Sequence, residues 1–126
     1  MKRTLFSAVA LSSALFASTA AAQPTPRQHA DAQKLVAEGV KLWEAQSLEI
    51  ALAKWEEAFT LESSPNTLFY IARAKQVQGR FLEAVAAYRK YRDLGFNPKL
   101  GERDKDEARL REMDCLKNLF QVKVRG

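Results

Sequence analysis

An internal repeat sets the tightest limit on what this chain can become. Sliding the sequence along itself by 33 residues sets Leu35 on Leu68, Ala51 on Ala84, Ala53 on Ala86, Leu61 on Leu94 and Pro65 on Pro98. Near matches accompany these: Gly39 with Ala72, Leu48 with Phe81, Leu52 with Val85, Trp55 with Tyr88. Small and large residues recur in phase, which two unrelated hairpins would not show. A period of this length marks a supersecondary unit that buries its apolar face by stacking on a neighbour.

Hydrophobic spacing identifies the unit as a pair of helices. From Asp31 to Glu44, apolar residues fall at Leu35, Val36, Val40, Leu42 and Trp43; from Leu48 on, at Ala51, Leu52, Trp55, Ala58 and Phe59. Steps of three and four give each segment one apolar face. Ser63, Ser64 and Pro65 interrupt the pattern. Leu68, Phe69, Ile71, Ala72 and Val77 predict a third helix, and Phe81, Ala84, Val85, Tyr88 and Tyr91 a fourth, stopped by Gly95 and Pro98. A fifth runs from Leu100 to Phe120, with Ala108, Leu110, Met113, Leu116, Leu119 and Phe120 as its apolar positions. The expected fold is all-α: tandem helix-turn-helix repeats over 32–64 and 65–98, then a charged capping helix over 99–120. Residues 121–126 alternate like a strand. Between Lys99 and Glu112 stand five basic and five acidic residues. They read as a solvated, ion-paired face, with Arg103–Glu107 and Glu107–Arg111 as pairs.

The stretch Ala32 to Pro98 resembles two tetratricopeptide repeats. Gly39 and Ala72 stand where that family keeps a small residue at the helix contact, and Ala51 and Ala84 supply the second small position. Trp55 and Tyr88 are the aromatics four residues on; Pro65 and Pro98 close the units. Small residues let helices approach, and the aromatic fills the space beside them. With Leu35 and Leu68, these are the expected repeat-packing residues. The pattern departs at Lys75 (Leu42 in the first repeat), at Glu38 for an apolar residue, and at Gln46 for a turn glycine. The resemblance implies a concave groove lined by the first helix of each repeat: Gln33, Val36, Val40 and Trp43, then Asn66, Phe69, Arg73 and Gln76. Each of Val36, Trp43 and Phe69 taken alone is better read as packing between repeats, and the groove reading rests on the set as a whole. The carboxylate clamp of one subfamily is missing, because its Lys and Asn positions read Val36 and Val40. A hydrophobic or weakly acidic peptide is the implied partner, and the fifth helix resembles a terminal cap.

The first 22 residues read as an address. Lys2 and Arg3 precede an apolar run from Leu5 to Phe16, and Ala20 and Ala22 offer a cleavage site. These are the three parts of a secretory signal, with a membrane anchor as the alternative. Cleavage after Ala22 leaves 104 of the 126 residues and no membrane span; losing two basic residues lowers the net charge from +5 to +3. Residues 23–29 read as a polar, proline-bearing linker. An exported, periplasmic or secreted location follows. The layout also resembles envelope proteins that continue into a small β domain of the PEGA type, which these residues do not include.

Composition narrows the chemistry. One Cys and one His exclude an internal disulfide framework and a cysteine-rich zinc site. Cys115 is expected to be a buried small hydrophobe, with intermolecular pairing as the alternative. No glycine-rich phosphate loop or glycine-flanked nucleophile occurs. Glu56-Glu57 and Asp104 to Glu107 sit on faces expected to be wet. No catalytic residue, cofactor or metal ligand is therefore expected, and a Cys115–His29 dyad would need the linker to fold onto a buried helix. Charge is divided: three basic and seven acidic residues over 31–63 give −4, six basic and two acidic over 66–93 give +4. So balanced an exported chain is a poor partner for nucleic acid. The leading reading is a protein-protein interaction or assembly module of the cell envelope. The alternatives are a structural homo-oligomer, made by stacking acidic on basic repeats, and a regulatory subunit of a periplasmic enzyme.

Overall fold

The computed structural model describes residues 23–94 and 102–125, with side chains described for 23–94 and 105–121. Five helices follow one another: α1 (Pro26–Glu44), α2 (Leu48–Leu61), α3 (Pro65–Val77), α4 (Phe81–Leu94) and α5 (Glu102–Arg125). Each packs on its neighbours in the chain, α1 on α2, α2 on α3, α3 on α4 and α4 on α5. The fold is all-α, a tandem helical repeat arrangement with a C-terminal helix laid on α4. Among the described residues there is no strand, and no helix is long and apolar enough to cross a membrane. The proposed signal segment, Gly95 and Pro98 lie outside the described residues.

The two hairpin turns repeat each other atom for atom at the 33-residue offset. The Ser47 amide donates to the Leu42 carbonyl (2.8 Å) and Arg80 to Lys75 (2.9 Å); Gln46 donates to Trp43 and Gly79 to Gln76, both at 3.0 Å. Gln46 and Gly79 share the left-handed conformation, with φ of 65° and 75°. Glycine is at ease there, whereas Gln46 carries the cost of its Cβ. The departures at Leu42/Lys75 and Gln46/Gly79 thus fall where backbone, not side chain, makes the repeat. Glu38 and Lys75 are accommodated by ion pairs, with Lys54 (3.6 Å) and Glu56 (3.9 Å).

Both ends differ from expectation. Residues 26–29 are helix, not linker. Thr25 caps α1, its hydroxyl accepting from the Gln28 amide (3.1 Å) while the Gln28 side chain accepts from the Thr25 amide (2.9 Å). Pro26 then occupies the first helical position, where its missing N–H costs nothing. At the other end α5 starts at Glu102 and runs to Arg125, so residues 121–125 extend the helix instead of forming a strand. Alternation specifies a strand only beside a partner; without one, the helix satisfies the backbone groups itself.

The core falls into two clusters that share α3. One gathers Ala51, Leu52 and Trp55 of α2 with Ile71 and Ala74 of α3, flanked by Val36, Val40, Trp43 and Tyr70. The other gathers Leu68 and Ala72 of α3, Ala84, Val85, Tyr88 and Tyr91 of α4, and Ala108 and Cys115 of α5. Of the expected packing residues, Gly39, Ala51, Trp55, Leu68, Ala72, Ala84 and Tyr88 are buried. Leu35 is only half buried. Its counterpart Leu68 is covered by Phe59 of the preceding pair, and α1 has no such predecessor among the described residues.

Candidate binding groove

The odd-numbered helices share one face, and three hollows join along it. A cavity of about 340 Å³ lies between Gln33, Val36 and Ala37 of α1 and Glu62, Asn66 and Thr67. Through Val36 and Asn66 it meets one of about 460 Å³, lined by Phe69, Tyr70, Arg73, Tyr91 and Glu107. Through Tyr70 and Arg73 that one meets a narrow slot of about 80 Å³ bounded by Val40, Trp43 and Trp55. Three aromatics build the slot: Trp43 tilts against Trp55 (centroids 5.7 Å apart), and Tyr70 stacks on Trp55 (5.0 Å, 18° between planes).

Arg73 stands where cavity and slot meet. Its Nε is buried and has no hydrogen-bond partner. Across the cavity, Oε1 of Glu107 accepts from Arg111 Nε (3.0 Å) and Nη2 (2.9 Å). A buried guanidinium nitrogen without an acceptor is costly, while the rest of the half-buried side chain lines both hollows.

The expected groove residues divide. Gln33, Val36, Val40, Trp43, Asn66, Phe69 and Arg73 all line these hollows. Phe69 is also a packing residue, held by Tyr88 (5.9 Å) and Tyr91 (5.2 Å), with Arg111 over its ring (6.0 Å). Gln76 does not line them. Its amide donates to Asp114 (3.0 Å) and accepts from the Tyr88 hydroxyl (2.7 Å), tying α3 to α4 and α5. Tyr70, which the sequence did not single out, and Glu107, expected on a solvated ion-paired face, also line the site. Tyr70 follows Asn66 by four residues and precedes Arg73 by three, which places it on the same helix face.

The solitary His and Cys are not brought together. His29 lies on the first turns of α1, with Nδ1 2.5 Å from the Glu62 carboxylate. Cys115 is buried in the second cluster. Burial, and the nearby Asp114 and Glu112 carboxylates, push its thiol up to about 11. Burial likewise pushes the Tyr88 phenol far up, so it stays a proton donor to Gln76. A thiol reagent at neutral pH is therefore expected to modify native Cys115 at least about a hundredfold more slowly than the urea-unfolded chain, because the thiolate is scarce as well as hidden. Equal rates would show that α5 does not stay closed over it. Among the described residues no group of three or more His, Cys, Asp or Glu could hold a metal ion. The pair Glu56-Glu57 is exposed.

Comparison with known proteins adds no identity: no family model, no curated protein and no solved structure matches the chain.

Proposed function

We propose that this chain is an exported interaction module of the tetratricopeptide-repeat type, working in the cell envelope without covalent chemistry. The repeat register supports the type: Gly39 and Ala72 at the helix contacts, the two turns with matching hydrogen bonds, and Trp55 and Tyr88 as the filling aromatics. Its partner is a peptide segment lying along α1 and α3, with one small apolar side chain in the aromatic slot and a carboxylate beside it. The observation that carries this reading is Arg73, a half-buried guanidinium side chain that lines both the aromatic slot and the larger cavity beside it. Aromatic and Arg anchors of this kind dominate binding energy at protein interfaces.

The test is capture from envelope extract by the full chain, followed by titration with the captured protein. Trp43 and Trp55 line the slot and report occupancy through their fluorescence. Arg73→Ala is expected to weaken binding about tenfold, the worth of one charge-assisted hydrogen bond, and Arg73→Glu more. A partner that binds both variants as tightly as the parent would remove Arg73 from the site and this reading with it.

A further inference from the structure

We infer that the outward stripe of α5 is the contact surface for a second copy of this chain, joined antiparallel through α5. The helix has two faces. Ala108, Glu112 and Cys115 are buried on the α4 side. Opposite them, Leu110, Met113 and Phe120 are 66, 59 and 73% exposed. Asp106, Leu110, Met113, Lys117 and Phe120 follow at alternating steps of four and three. That is the seam spacing of a two-helix coiled coil, and three large exposed side chains on one seam are far from scattered surface residues.

The two charges in the seam select the partner and its direction. A parallel pair in register would oppose Asp106 to the partner's Asp106 and Lys117 to the partner's Lys117. Turned antiparallel with Leu110 opposite the partner's Met113, the helices also bring Asp106 opposite the partner's Lys117. Both pairs share one midpoint, so the two-fold axis repeats each, and the four central layers are apolar on apolar or acid on base, with Phe120 beyond them opposite position 103 at either end. The stripe is therefore complementary to itself, as a two-fold interface requires. Among the described residues Asp106 makes a loose contact with Arg109 (4.0 Å), both side chains more than half exposed, so it is available. Stacking of acidic on basic repeats uses a different face, and α5 already covers α4 there.

Sedimentation velocity of the full chain, as recovered from expressing cells, tests this across the micromolar range. A dimer is expected. Leu110→Glu with Met113→Glu should give a monomer with unchanged circular dichroism, since both positions are exposed in the single chain. Lys117→Asp and Asp106→Lys should each weaken the dimer about tenfold through like charges in the seam, and together restore it. A monomer at all concentrations overturns the proposal. So does a dimer indifferent to Leu110 and Met113, which places the contact elsewhere, or a charge reversal that is not restored by its complement. A monomeric parent chain that instead captures another protein through Leu110 and Met113 overturns self-pairing too.

Discussion

Replacing Gly39 with alanine is expected to lower stability by about 3 kcal/mol, against the helix-propensity gain of roughly 1 kcal/mol that the same change brings elsewhere. A Cβ on Gly39 would lie 2.3 Å from Nε1, 2.7 Å from Cδ1 and 2.8 Å from Cε2 of Trp55. The indole is held in place on several sides. It is 2% exposed, Tyr70 stacks on it, and its N–H donates to the Val36 carbonyl (3.2 Å) of the helix that carries Gly39. The second repeat holds Ala72 and Tyr88 at the equivalent positions, both with no exposed surface. The two repeats thus divide the same contact differently, glycine with the larger ring and alanine with the smaller. Trp55→Tyr in the Gly39→Ala background should recover part of the loss, giving a coupling energy of about 1–2 kcal/mol in a double-mutant cycle read by urea denaturation. A Gly39→Ala protein more stable than its parent would mean that propensity wins and the close approach is not what fixes the α1–α2 pair.

That contact also marks how far the sequence could be read. Gly39, Ala51, Trp55 and their counterparts 33 residues on are legible because a repeat prints its packing twice. The turns carry no such double record in their side chains: Gln46 and Gly79 match only in φ and hydrogen bonding. The helix start at Pro26 was concealed by composition. A proline-bearing polar stretch reads as linker unless Thr25 and Gln28 are recognised as reciprocal caps. The C-terminal alternation of Val122 and Val124 signals a strand locally, whereas a partner strand decides whether one forms. In the groove, Arg73 follows from repeat register. The burial of its Nε without a partner does not, because that depends on how the helices pack around it.

Least visible in the sequence was Glu112, one acidic residue in a helix where charges alternate. The structure buries it, its side chain 7% exposed, and it receives Arg89 Nε (2.6 Å) and Arg92 Nη2 from α4. Glu112→Ala is expected to cost about 2 kcal/mol, more than an exposed ion pair and less than a sealed one, because Arg89 still reaches water. Arg92 sets most of that figure. Its Nε is already buried without a partner, so removing the carboxylate strands a half-buried guanidinium altogether. Arg92→Ala should therefore cost more than Arg89→Ala, whose side chain is 58% exposed. The loss should also be local. Between α4 and α5 lie Tyr88, Tyr91, Ala108 and Cys115, with the Gln76–Asp114 bond at the edge. Weakening the clamp lets α5 lift while α1 to α3 keep their own cluster around Trp55. Cys115 then reports the opening: its modification rate in Glu112→Ala should rise about thirtyfold, the factor by which 2 kcal/mol enlarges the open population. An unchanged rate beside a lowered global stability would show instead that Cys115 is reached by a motion that leaves the clamp closed, whereas a rate rise matched by an equal fall in global stability would show that α5 and the repeats unfold together.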